Sequence, residues 1–150
     1  MKQGIMLIAL SFLMVSVACK STKVGNGNNS QSKKSGMENL DGSWKLEYIS
    51  GPRIAFEGLY PDRKPVITFT VAEKRFGGNT SCNSFSGQLS ADDKHIHFTD
   101  HMALTKMFCP GDGETVFLET LKKVNGYSVE NNKLTFFMGE VPMMRFVKEK

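Results

Sequence analysis

Cys82 and Cys109 are the residues of this chain best suited to chemistry. Two thiols 27 positions apart could bond to each other, sit reduced as small buried hydrophobes, or act as a nucleophile or redox couple. Nothing resembles a Cys-x-x-Cys motif, and Pro110, Asp112 and Glu114 near Cys109 do little to lower a thiol pKa. His95, His97 and His101, with Asp100 beside them, could supply metal ligands. His95 and His97 are two apart, so on a strand they share one face, while Ile96 and Phe98 take the other. The apolar face belongs to a core, so the histidine face is expected to meet solvent and no metal is expected. A third group, Asn79, Thr80, Ser81, Asn83, Ser84 and Ser86, could donate to a ligand. Asn and Ser of this kind more often bond their own backbone in turns, and that is the expectation here. Paired carboxylates, a Ser-His-Asp arrangement and a phosphate-binding loop are missing at any recognisable spacing. No catalytic residue and no cofactor are expected.

The charge excludes one further class. The chain of 150 residues carries a formal +4. Lys20, Lys23, Lys33 and Lys34 lie before Met37 with no acid among them, whereas Met37–Lys150 holds 14 basic and 15 acidic residues, a net −1. A nucleic-acid binder carries its positive charge on the folded face, so nucleic acid is not an expected partner. The basic segment fits better beside anionic lipid or simply in solvent.

The first 18 residues have the form of an export signal. Lys2 begins it, Ile5–Val15 is apolar apart from Ser11, and Ser16-Val17-Ala18 lead to Cys19. The apolar run is shorter than the roughly 20 residues of a membrane-spanning helix. The segment resembles a bacterial lipoprotein signal, in which Cys19 takes the lipid and becomes the new N-terminus. Ser16 departs from the leucine usual three places before that cysteine. Simple secretion with cleavage near Ala18 is the alternative. Residues 19–36 then form a lipidated cysteine and a basic tether. Its Gly-, Ser-, Asn- and Lys-rich composition cannot bury enough surface to fold, and its coil span is roughly 20–25 Å. Export places Cys82 and Cys109 in an oxidising space as an even pair, so a disulfide between them is expected; reduced burial and reactivity remain the alternatives.

Residues 37–150 supply the fold. Trp44, Leu46 and Tyr48 alternate with polar neighbours as in a half-buried strand, with Trp44 in the core. Gly51 to Lys64 reads as a long loop, and Pro65–Val71 as a second strand. Arg75 to Leu89 reads as a strand with a bulge or turn around Gly77 and Gly78. Ser90–Lys94 is a hairpin turn, followed by a strand carrying Ile96 and Phe98. A helix at about 112–125 starts at Asp112 as N-cap, buries Phe117, Leu121 and Val124, and ends at Gly126. Three short strands follow, Gly126–Val129, Lys133–Met138 and Met143–Val147. Phe136, Phe137, Met138, Met143, Met144 and Phe146 could form an exposed patch, but core and hairpin packing are expected. The expected fold is α+β and mainly antiparallel: a barrel-like curved sheet of seven or eight short strands with one packed helix.

These residues resemble the META domain, also called HslJ-like, of bacterial envelope proteins. The resemblance runs from Leu40 to Val147. It is carried by Leu40-Asp41-Gly42-Ser43-Trp44, Pro65-Val66-Ile67-Thr68-Phe69, Phe76-Gly77-Gly78-Asn79, Ser81-Cys82-Asn83-Ser84-Phe85-Ser86-Gly87 and Thr105-Lys106-Met107-Phe108-Cys109. Glu114, Phe117, Leu121 and the three closing strands complete it. Ser81 departs from the glycine most often found before the Cys-Asn pair. The resemblance implies no enzyme activity and a loose association with envelope stress. The expected protein is a monomeric, non-catalytic lipoprotein held at a bacterial membrane, most simply the outer membrane with its domain in the periplasm. It would bind an envelope protein or small molecule in a stress response. A carrier of an apolar ligand in the barrel interior is one alternative; an enzyme using Cys or His with metal is another.

Overall fold

A computed structural model describes residues 36–51, 53–98 and 101–150. The export signal, Cys19, all of the tether except Gly36, and Asp100 lie outside the described residues. The described residues form ten strands and two α-helices: β1 Gly42–Ile49, α1 Phe56–Leu59, β2 Val66–Thr70, β3 Arg75–Asn79, β4 Ser84–Gln88, β5 Ser90–Ala91, β6 Ile96–His97, β7 Ala103–Leu104, α2 Gly113–Lys123, β8 Gly126–Glu130, β9 Lys133–Met138 and β10 Val141–Lys148. Eight of the strands form one antiparallel sheet in the order β7-β4-β3-β2-β1-β10-β9-β8, and β5 and β6 pair separately. The α+β class, the curved antiparallel sheet and the single main helix match expectation. The sheet does not close on itself: β7 and β8 remain its two edges, and His95 bridges to Gly126 beside β8.

Alternation along the strands explains the core. Trp44 and Leu46 of β1, Ile67 and Phe69 of β2, Leu134 and Phe136 of β9, and Met144 and Phe146 of β10 all turn inward and are buried. Phe117 and Leu121 lay the apolar face of α2 on the same core. Aromatic rings fill the space between. Phe136 packs edge-on against Phe69, Phe98 and Phe146, with centroids 5.2–6.4 Å apart, and Phe76 meets Phe98 at 5.0 Å. These spacings are favourable for aromatic pairs. Trp44 is core, and its indole N–H donates to the Leu40 carbonyl at 2.6 Å.

The central stretch is built differently from expectation. It is two strands, β3 and β4, joined at Thr80–Asn83, and the glycine pair sits inside β3 instead of at a bulge. Gly78 lies opposite Ile67 with φ +153°, and a Cβ there would fall 2.0 Å from the Val66 carbonyl oxygen. A side chain at this point would force β2 and β3 apart, so glycine is required by close approach. The long loop 51–64 contains α1, one helical turn that packs on the start of α2 through Tyr60 and Gly113.

Antiparallel pairing brings the ends of β1, β3 and β7 and the beginnings of β2 and β4 to one end of the sheet. The loops 50–65, 80–83 and 105–112 therefore meet there, together with the first turn of α2.

Candidate functional site

Those loops converge on Asn83, which is buried although it lies in a connection between strands. Its Oδ1 accepts from the Thr105 hydroxyl at 2.8 Å and from the Met107 backbone N–H at 2.9 Å. Its Nδ2 donates to the Met107 carbonyl at 3.1 Å, to Glu114 Oε1 at 3.1 Å and to Cys109 Sγ at 3.0 Å. Thr80, also buried, donates to Glu114 Oε2 and accepts from the Asn83 backbone N–H at 3.0 Å. One amide thus holds three segments that are distant in sequence: the β3–β4 turn, the loop after β7, and the start of α2. Buried polar groups are retained only when paired in this way. Among the described residues no buried side-chain N or O atom lacks a partner.

Cys82 and Cys109 are bonded to each other, with their Cα atoms 5.9 Å apart. The bridge crosses the same junction. Arg63, from the loop before β2, donates from Nε to the Ser81 carbonyl at 3.2 Å and from Nη2 to the Cys82 carbonyl at 3.4 Å. Ser81 itself has φ +85°. That left-handed conformation suits glycine and costs a residue with a Cβ on the order of 1 kcal/mol. Glycine would hold this turn without that cost, and Ser81 keeps it at some strain.

All this bracing holds an apolar tip in solvent. Met107 is 62% exposed and Phe108 93% exposed. They follow directly on Lys106, and Cys109 then returns the chain to the disulfide. The sequence pattern does not mark this tip. No periodicity flags a loop residue as exposed; the available signal was two large apolar residues between a cation and a cysteine. The expectation for the Asn/Ser cluster holds in part. Asn79 Oδ1 bonds locally, to the Ser81 N–H at 3.2 Å, and the Thr80 hydroxyl closes its own turn on the Asn83 backbone; Thr80 also reaches Glu114, and the Asn83 side chain bonds only across segments. The reason is burial: a fully enclosed side chain takes whichever partners the neighbouring elements bring.

The cluster has little capacity for catalysis. Both Glu114 oxygens accept hydrogen bonds, the Thr80 hydroxyl is buried, and the two sulfurs are bonded to each other. Asp112 holds the N-cap position of α2, but its side chain makes no capping bond; its backbone carbonyl accepts from the Val116 N–H. Glu114 occupies the first turn as expected, yet its carboxylate serves the network.

The histidines lie elsewhere. His95 and His97 are exposed on the β5–β6 side, and His101 is exposed near β7. His95 Nδ1 is 3.0 Å from Asp92 Oδ2. The Lys94 and His95 backbone N–H groups, with the His95 ring, hold the Asp92 carboxyl down at about 2. The Tyr127 hydroxyl donates to the Asp92 carbonyl at 2.6 Å. Burial first, then the charges of Asp93 and Asp92, push this phenol up to about 12. Burial also raises the Tyr60 phenol. Among the described residues no three His, Cys, Asp or Glu side chains are grouped to hold a metal ion. Phe136, Met144 and Phe146 of the Met/aromatic run are core, while Met138 is exposed.

A family model of the META domain matches residues 38–150. No curated protein matches the chain. Solved structures share the fold at low identity. An NMR structure of a protein from Burkholderia xenovorans is 18% identical, covers 76% of this chain and 86% of its own, and has a TM-score of 0.59. A crystal structure of a DUF4847 family protein from Bacteroides vulgatus is 18% identical, covers 74% of this chain and 96% of its own, and has a TM-score of 0.51.

Proposed function

The chain belongs to the META domain family, and from that premise we propose that it is a non-catalytic envelope lipoprotein that works by binding. In this reading lipid on Cys19 holds it at a bacterial membrane, residues 37–150 are its folded domain, and it serves the envelope's response to stress. The single observation that supports a binding role is the braced tip. A disulfide and a buried amide fix Met107 and Phe108 where both stay exposed. The two exposed side chains add nothing to the core, and holding them in place lowers the entropy cost of contact with something else. The occupied Glu114 oxygens and the bonded cysteines weigh against acid–base or thiol catalysis at this end of the sheet. The carrier alternative loses ground because Phe69, Phe76, Phe98, Phe136 and Phe146 fill the interior it requires.

The test is a photo-crosslinking residue at position 108 in intact cells, with Lys133, exposed at the start of β9, as control position. Reproducible adducts at 108 and none at 133 are expected. Equal labelling at the two positions sinks the assignment of the tip as the contact.

A further inference from the structure

We infer that the Met107–Phe108 tip is a second membrane contact, seated among the headgroups and upper acyl chains of the bilayer that holds Cys19. The inference rests on the proposed lipidation and names the partner of the tip. Three observations choose a bilayer over a protein. The first is size. Even complete burial of Phe108 covers roughly 150–250 Å², whereas a specific protein interface needs roughly 1,200–2,000 Å². Two side chains form too small an anchor for a protein, but a lipid layer accepts an isolated apolar tip without shape complementarity.

The second is affinity. Burial of one Phe and one Met corresponds to a dissociation constant in the millimolar range, far too weak for an untethered protein. A short tether supplies an effective concentration of the same order, so a chain already held by lipid would keep the tip engaged for much of the time. Several acyl chains on Cys19 would hold the chain at the bilayer, so the tip has only to add a local contact. The third is the rim. Lys106 adjoins the tip and Arg63 is fixed against the Ser81 and Cys82 carbonyls, so both can reach lipid phosphates while the apolar residues insert. Apolar burial is the main attraction.

The reach is sufficient. The chain enters the fold at Gly36, and the Met37 N–H bonds Asp93, at the end of the sheet where β1 begins. An eight-residue strand spans roughly 26 Å, and the 17 residues from Lys20 to Gly36 extend to roughly 55–60 Å.

The experiment uses the full chain expressed in a bacterial host, extracted, and reconstituted into phosphatidylethanolamine/phosphatidylglycerol vesicles carrying acyl-brominated lipid. The variant is Phe108→Trp; the parent, whose Trp44 is buried, supplies the baseline. The N-terminal fragment is weighed in parallel. Acyl mass on Cys19 with a blue-shifted, bromine-quenched emission from position 108 is the expected result. Acyl mass with unshifted, unquenched emission overturns this inference and leaves the lipoprotein reading standing. A fragment without acyl mass overturns both, since two side chains alone do not hold the chain at a bilayer. A folded circular-dichroism spectrum for Phe108→Trp is expected, because the Phe108 side chain is almost wholly in solvent.

Discussion

Asn83→Ala tests the bracket directly. The substitution removes two accepted bonds, from Thr105 and the Met107 N–H, and the donated bonds to the Met107 carbonyl, Glu114 and Cys109. Nδ2 has two hydrogens for three acceptors, so four full bonds are the sensible count. Each is worth about 0.5–1.5 kcal/mol net. Met107 is exposed, and water can replace part of what its backbone loses. Glu114 is only part-buried, which limits its penalty in the same way. The expected loss is about 2–4 kcal/mol, near the upper range for a point substitution. Urea unfolding of the folded domain reads it as a lowered midpoint with an unchanged slope. Hydrogen exchange should place the gain in opening at residues 105–109 and in the first turn of α2, with the β9–β10 hairpin unaffected. Asn83→Asp should be at least as damaging at neutral pH, since it sets a carboxylate against Glu114. That extra deficit should shrink on acidification, as protonation of the introduced carboxyl restores a donor. A change below about 0.5 kcal/mol for Asn83→Ala, the size of an ordinary surface substitution, would refute the claim that this amide joins the three segments.

Removing the disulfide as Cys82→Ser/Cys109→Ser reopens a loop of 27 residues and should cost about 3.5 kcal/mol on the chain-entropy account; equal urea midpoints for the two proteins would contradict it. Ser81→Gly should stabilise the domain by about 0.5–1 kcal/mol, because φ +85° is strained for serine and free for glycine; a thermal midpoint lower than the parent's would show that the serine side chain earns its place there. Asp92 titrates at about 2 when folded, against 3.8 for an unperturbed carboxyl. Its contribution is present above the unfolded value and is lost as pH falls from about 4 toward 2. Carboxyl carbon NMR should place its inflection near 2, and Asp92→Asn should flatten the acid limb of the stability profile; an inflection at the ordinary value would remove the argument.

The sheet was legible because burial there follows a short local rule. Alternation at Trp44–Tyr48, Val66–Phe69 and Lys133–Phe136 marks one face of each strand, and the structure buries those faces. The helix was legible for the same reason, at the period of Phe117, Leu121 and Val124. The turn at Thr80–Asn83 was harder to see. Gly77 and Gly78 look like a break, yet their lack of side chains serves the close approach of β2, and that approach is visible only once the strands are paired. Asn83 reads as a turn residue because turns are where asparagine is common. The four residues its side chain bonds lie 22 to 31 positions away, beyond the range of any local pattern. Exposure at Phe108 has the same origin: it depends on which loop is held out by which bonds.

The bracket and the tip belong to one argument. A loop that only had to connect β7 to α2 could turn its apolar residues inward, and the region already has a buried floor in Phe85, Phe117 and Leu59. Here a buried asparagine, a threonine, a glutamate and a disulfide instead pin the loop so that Met107 and Phe108 point away from that floor. Exposed apolar surface lowers solubility and adds nothing to folding. Polar burial at the base also costs desolvation that a plain hydrophobic contact would not. The bracket itself stabilises the fold, but exposure of Met107 and Phe108 adds nothing to folding, and contact with an apolar surface is the role proposed for it. The decisive comparison is between Asn83→Ala and a polar substitution at Phe108. The first should weaken folding and contact together; the second should abolish contact and leave the urea midpoint where it was.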